Sequence, residues 1–150
     1  MFKRILVAVD GSVTALDALD KAIELQQLTR KQDGEAEIYL LCVYKHHSLF
    51  EASLSMVRPD EMQIPDQALT EYARDVVDQA KKHALKQGVT CRGFVKGGRP
   101  SKKIVSFAQT KEIDLIVMGS KGTHTDVDGM FLGSVSQRVA AHAKCPVMIV

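Results

Sequence analysis

The sequence has no tryptophan and few other aromatic residues, three tyrosines and five phenylalanines in 150. A surface that stacks nucleic-acid bases needs several such rings, so their scarcity argues against a single-strand binder. Charge points the same way. Twenty basic and eighteen acidic side chains leave a formal +2, too little for a general polyanion binder. No apolar run approaches the roughly 20 residues that cross a bilayer. The opening residues, Met1-Phe2-Lys3-Arg4-Ile5, pass into a strand-like segment without a signal-peptide cleavage pattern, and the expected compartment is the cytoplasm. Cysteine is also sparse. Cys42, Cys91 and Cys145 are odd in number and widely spaced, which suits neither a disulfide framework nor a zinc site. Buried free thiols are expected.

What is present is an ordinary globular balance of charged and apolar residues, at a length that fits one domain, 1–150, with its own core. Residues 2–10 (FKRILVAVD) form a β-rich run, and Gly11-Ser12 supplies a turn and a helix cap. Beyond Ala15, the positions Leu16, Leu19, Ala22, Ile23 and Leu28 make a helical stripe. Residues 38–44 (IYLLCVY) are a nearly unbroken apolar strand, as in a parallel sheet covered on both faces. Residues 46–65 have no sustained period and are expected to be a long connection. A helix is predicted over 66–87, with Leu69, Ala73, Val76, Val77, Ala80 and Ala84 on one side and Gly88 as its stop. Then come a strand over 89–95, a helix from Pro100 with Ile104, Val105 and Ala108 inward, and a strand over 113–118. A short helix over 133–143 and a strand over 145–150 follow. Strands alternating with helices predict an α/β fold, an open parallel sheet with helices on both faces. Ligands of such sheets sit beyond the carboxyl ends of the strands.

The segment Met118-Gly119-Ser120-Lys121-Gly122, then ten residues, then Gly133-Ser134-Val135-Ser136, runs from a strand into a helix. Glycines allow backbone angles closed to other residues and a close approach of main chain to a ligand. The helix start would offer unpaired N–H groups and two hydroxyls to a phosphate. A helix end supplies only about 0.3–2 kcal/mol toward an anion, so cations must help, with Lys121 and Arg138 nearest in sequence. The plainer alternative is a glycine turn with Ser134 as an ordinary cap. The loop is neither a P-loop, lacking Gly-Lys-Ser/Thr, nor a dinucleotide fingerprint after the first strand.

Taken together, these segments resemble the universal stress protein family over essentially the whole chain. The resemblance rests on Ile5-Leu6-Val7-Ala8-Val9-Asp10-Gly11-Ser12, Gly98-Arg99-Pro100, Asp114-Leu115-Ile116-Val117-Met118-Gly119, Leu132-Gly133-Ser134-Val135 and Cys145-Pro146-Val147. It implies a Rossmann-like, five-stranded parallel sheet of order 3-2-1-4-5, and a homodimer through the last strand, with higher assembly left open. One branch of the family binds ATP through Gly-x2-Gly-x9-Gly-Ser/Thr. Gly119-x2-Gly122 places this chain with that branch, although ten residues rather than nine precede Gly133. The implied cofactor is ATP, or ADP or AMP, with Mg²⁺ as a companion. Carried over by position, Ala8, Val9 and Val43 flank the adenine, and Asp10 faces the ribose or a metal. Met118, Gly119, Lys121 and Gly122 run along the ribose and phosphates, and Gly133, Ser134, Val135 and Ser136 close on the phosphates. Asp10 also reads as a turn residue before Gly11.

Other residues have plainer explanations. Asp126-Val127-Asp128-Gly129 lacks the later ligands of a calcium loop and reads as a solvated acidic stretch. His46 and His47 would point to opposite sides of an extended chain, which does not suit a metal. His124 is either a loop surface residue or a base near a phosphate. His142 falls near the inner stripe of the last helix with Val135 and Val139. Leu49, Phe50, Leu54, Met56 and Val57 form either a flap or subunit contact, or a satellite cluster. The expected function is a nucleotide-dependent regulatory switch in the stress response, acting on a regulatory protein that the sequence does not identify. The alternatives are a nucleotide-independent dimeric scaffold and a slow ATPase using Asp10, His124 and Asp126.

Overall fold

A computed structural model of the chain describes residues 2–45, 66–122 and 132–150. The elements run β1 (Arg4–Ala8), α1 (Val13–Asp33), β2 (Glu37–Tyr44), α2 (Asp66–Lys86) and β3 (Cys91–Gly97). They continue α3 (Pro100–Thr110), β4 (Leu115–Met118), α4 (Ser134–His142) and β5 (Val147–Ile149). The strands form one sheet of order β3-β2-β1-β4-β5, parallel at every pairing. Order and fold class are those the resemblance implies. The strand order reverses between β1 and β4, which makes their carboxyl ends the switch point.

Because side chains alternate along a strand, β1 feeds two cores. Ile5 and Val7 join Ile38, Leu40 and Val117 beneath α1 and α2, packed by Leu19, Ile23, Val77 and the alanines 18, 22, 73, 80 and 84. Leu6 joins Tyr39, Leu41 and Ile116 beneath α3 and α4, packed by Ile104, Phe107 and Val139. Ile5, Leu6 and Val7 are fully buried, and each such side chain stabilises the fold by about 1.5–3 kcal/mol.

Several details depart from the sequence pattern. Leu16 and Leu28 are 36% and 57% exposed, so the inner face of α1 is instead Ala15, Ala18, Leu19, Ala22 and Ile23, with Gln26 and Thr29 also buried. The third strand starts at Cys91 rather than 89, because Val89 belongs to the stop of α2. Gly88 adopts φ +75° and bonds back to Leu85 O, while Val89 N bonds to Ala84 O, the paired arrangement of a Schellman stop. The same device ends α3, with Glu112 at φ 52° and Ile113 N bonded to Ala108 O, which delays β4 to Leu115. Asp114 is then free to accept from the amides of Lys3 and Arg4, at 2.9 and 3.2 Å, and so fixes the start of β1 against β4. Phe107, absent from the predicted inner face of α3, is buried and meets the Phe94 ring edge-on at 4.9 Å. Cys42 and Cys91 are buried free thiols as expected, but Cys145 is only half-buried. His142 is exposed, its Nδ1 lying 2.8 Å from Arg138 O, so core packing does not explain it.

Candidate functional site

The site is assembled from three turns at one end of the sheet. The first follows β1. Asp10 Oδ1 accepts from the Ser12 amide at 2.9 Å and from the Ser12 hydroxyl, a turn closed by the side chain. Ser12 in turn caps α1, accepting from Ala15 N at 3.2 Å. Asp10 thus does serve as a turn residue. Its other oxygen still faces the glycine loop, since a Cβ placed on Gly122 would stand 3.1 Å from Asp10 Oδ2. The carboxylate is also felt by Cys42, whose thiol is pushed up to about 11 by burial first and by the Asp10 charge second.

The second turn follows β4. The sequence suggested that Gly119 and Gly122 serve for unusual backbone angles and for close approach of main chain to a ligand. Neither has a positive φ; the positive-φ glycines among the described residues are Gly11, Gly34, Gly88 and Gly98. Gly119 is required by proximity. A Cβ there would fall 2.6 Å from Thr14 Oγ1 and 2.9 Å from the Thr14 carbonyl carbon, so any side chain would collide with the first turn of α1. Thr14 then reaches across to donate its hydroxyl to Lys121 O at 2.5 Å. Thr14 is the positioning residue that the sequence reading missed, and nothing local distinguishes it from an ordinary helix-start threonine.

The third turn begins α4. Gly133 is its N-cap, at φ −57°, and Ser134 is the first helical residue, so Ser134 is not the cap. Gly133 N donates to Ser120 O at 2.8 Å, which brings the two ends of the glycine segment together. Ser120 N donates to Val150 O at 2.8 Å, and Val150 N to Met118 O at 3.0 Å. Ser136 is buried, and its hydroxyl donates to Gly119 O at 2.8 Å. That hydroxyl is therefore committed to the protein here. The first-turn amides of α4 have no acceptor within their own helix, and its N-cap Gly133 lies against Ser120 and Gly122, a Cβ there standing 3.3 Å from Ser120 O and 3.8 Å from Gly122 N.

Of the expected adenine and ribose residues, Ala8, Val43 and Met118 pack into the α3/α4 core, as does Val135, which was expected at the phosphates. Val9 is placed differently. Its side chain is 4% exposed in the α1/α2 core and its N–H bonds to Leu41 O at 2.9 Å, so its side chain is not available to flank a base. Lys121 is half-buried, while Gly122 and Ser134 are exposed. Beyond Val9, a hollow of about 540 Å³ opens between α1 and α2, lined by Val9, Gly11, Leu16, Tyr72, Val76 and Lys82 among others. His46, His47 and the 49–57 cluster lie outside the described residues, as do His124, Asp126 and Asp128. No group of three metal-ligating side chains occurs among the described residues. No helix among them is long and apolar enough to cross a membrane.

An open parallel sheet with a glycine turn and a helix start meeting at its switch point defines a Rossmann-like α/β domain. A family model, the Universal stress protein family, matches residues 1–150, and the chain belongs to that family. It is 32% identical to universal stress protein YxiE of Bacillus subtilis, over 100% of this chain and 99% of the relative. The solved structure of MJ0577, a Methanocaldococcus jannaschii universal stress protein, is similar with a TM-score of 0.77 at 29% identity, covering 100% of this chain and 96% of that one. Three structures of the same fold hold adenine nucleotides: a universal stress protein with cAMP, one from Arabidopsis thaliana with AMP, and one from Archaeoglobus fulgidus with dAMP. They are 24%, 21% and 20% identical, with TM-scores of 0.69, 0.65 and 0.63. Each covers 99% of this chain and, in the same order, 97%, 90% and 97% of its own.

Proposed function

We propose that this chain binds an adenine nucleotide across the carboxyl ends of β1, β2 and β4, and that occupancy governs its assembly or its contact with a regulatory protein during stress. The observation that carries the proposal is the approach of Gly122, beside Asp10, to Gly133, the N-cap of α4, held by the Ser120–Gly133 bond. The unpaired amides of a helix start, approached closely by glycine backbone, are the donors a phosphate needs. The partly buried Ala8 and Val43 give an apolar end for the base, and Lys121 a cation for the phosphates. Asp10 turns Oδ2 toward this loop, and no group of three metal-ligating side chains occurs among the described residues, which suits Mg²⁺ shared with the nucleotide's own phosphates rather than a protein cage. The relatives that hold cAMP, AMP and dAMP support an adenine base as the common element. Nucleotide that binds an assembled state more tightly shifts the population toward that state, and an assembly through β5 is the form proposed.

A second possibility, a dimeric scaffold that needs no nucleotide, draws on one observation. Gly119 and Ser136 already have structural duties, toward Thr14 and toward each other, so their presence does not require a ligand. Calorimetric titration of Mg-ATP into nucleotide-stripped protein, with GTP as control, separates the two. Saturable binding near one site per chain and selective for ATP supports the switch. Folded protein that gives no heat with ATP supports the scaffold.

A further inference from the structure

We propose that the outer edge of β3 is a docking site for an extended acidic segment of a protein partner. β3 is an end strand of the sheet, so one side of its backbone has no strand beside it among the described residues. Such an edge can accept a further strand from another chain. What distinguishes this edge is the sign of the charge around it.

Five cations from four places in the chain bracket the strand. Arg92 and Lys96 stand on β3 itself, and both are exposed. Lys81 comes from α2 on one face, its Cε lying 2.6 Å from where a Cβ of Gly93 would stand. Lys103 comes from α3, its Cε 2.7 Å from the corresponding point on Gly98 just past the end of the strand. Lys111, after α3, holds its Nζ 5.3 Å from the centre of the Phe94 ring. Arg92 turns inward over β2, donating to Tyr39 OH at 3.2 Å with Glu37 at 3.8 Å, so the cations left for a partner at the edge are the four lysines. Lys81, Lys96, Lys103 and Lys111 enter none of the ion pairs formed among the described residues.

The whole chain carries only +2, so this concentration along one strand is local. Cations on an edge repel a second copy of the same edge and thereby discourage self-association. The same cations attract a strand whose outward side chains are carboxylates, with backbone hydrogen bonds supplying register and charge supplying selection. A peptide fits this edge better than a nucleic acid does. Its backbone matches the open ladder, and the aromatic rings here, Phe94 and Tyr39, are engaged with each other and with Phe107 rather than free to stack bases.

The test uses the full chain and a fluorescein-labelled octapeptide of alternating glutamate and valine, followed by fluorescence anisotropy. Saturable binding is expected, with the lysine–valine octapeptide at least about tenfold weaker and with clear weakening between 50 and 300 mM salt. The Lys96→Glu/Lys103→Glu variant should lose at least about tenfold. Arg30→Glu/Lys31→Glu, which changes net charge equally at the exposed end of α1, should stay within about twofold. Both variants alter exposed side chains, and circular dichroism checks that they fold. N-methylation of alternate peptide amides should abolish binding. The proposal is overturned by absence of binding, by equal loss in both variants, by tolerance of N-methylation, or by an oligothymidylate that binds as tightly with the same variant dependence.

Discussion

The carbonyl carbon of Thr14 lies 2.9 Å from the point where a Cβ on Gly119 would stand. Backbone of α1 and backbone of the β4 turn are thus in direct contact at the switch point, with no room for a methyl group. Gly119→Ala is expected to destabilise the fold by about 1–3 kcal/mol through overpacking, measured by urea denaturation. A variant as stable as the parent would show that the contact relaxes at no cost.

Gly122 behaves differently. Its nearest neighbour would be Asp10 Oδ2 at 3.1 Å, the end of a side chain that can yield. Gly122→Val is therefore expected to fold normally, with an unfolding midpoint close to the parent's, yet to bind Mg-ATP at least about tenfold more weakly because the side chain blocks backbone approach. Calorimetry on the folded variant decides, and unchanged affinity would remove Gly122 from the site.

Ser136→Ala removes the 2.8 Å bond to Gly119 O and leaves that carbonyl without its donor. A loss of about 0.5–1.5 kcal/mol is expected in urea denaturation without nucleotide. If the loss appears only in the presence of nucleotide, the hydroxyl serves the ligand rather than the loop.

Asp20 ties α1 to α2 through His83 Nε2 at 2.6 Å and Gln87 Nε2 at 2.7 Å. Burial raises its pKa, but the hydrogen bonds from His83 and Gln87 and the His83 charge outweigh this and hold it below the ordinary 3.8. A carboxylate with a depressed folded pKa stabilises the fold above its unfolded pKa and loses that contribution as pH falls through the folded value. The stability gap between parent and Asp20→Asn should thus be present at pH 6 and close progressively below about pH 4. Urea midpoints from pH 3 to 6 test this, and a gap that persists at pH 3 would assign it to packing.

Burial pushes the Cys42 and Cys91 thiols up to about 11, with a weaker upward push on half-buried Cys145. Native protein treated with iodoacetamide at pH 8 should label Cys145 first, with Cys42 and Cys91 at least about a hundredfold slower than free cysteine. Mass spectrometry of the time course resolves the order, and early labelling of Cys42 would mean that the β2 end opens readily.

The alternation of apolar runs and helical stripes made the parallel α/β architecture legible, and the resemblance supplied the strand order. The misreadings have physical causes. α1 buries alanines against the sheet, and small residues register weakly in a periodic pattern, so the larger but exposed Leu16 and Leu28 drew the stripe off its face. Val89 looked like strand because its side chain is buried, whereas its amide closes the helix before it. At the site, local sequence marked the glycines, but Gly119 does not take the unusual backbone angles expected of it, and its contact with Thr14 was not foreseen. Its constraint is set by Thr14, more than a hundred residues earlier, and no local pattern reports such a neighbour.

Val150 is bonded on one side to Met118 and on the other to Ser120, and Ser120 in turn holds Gly133. The loop that would meet phosphates and the rim of the sheet are consequently links of one hydrogen-bonded chain. A small shift of Ser120 has to be absorbed either by breaking a 2.8 Å bond or by moving β5. β5 is the easier to move, since among the described residues it has a strand on one side only. Any surface presented by that last strand is therefore geared to the shape of the loop, and a partner resting on it would register a rearrangement around Ser120 without touching the crevice itself.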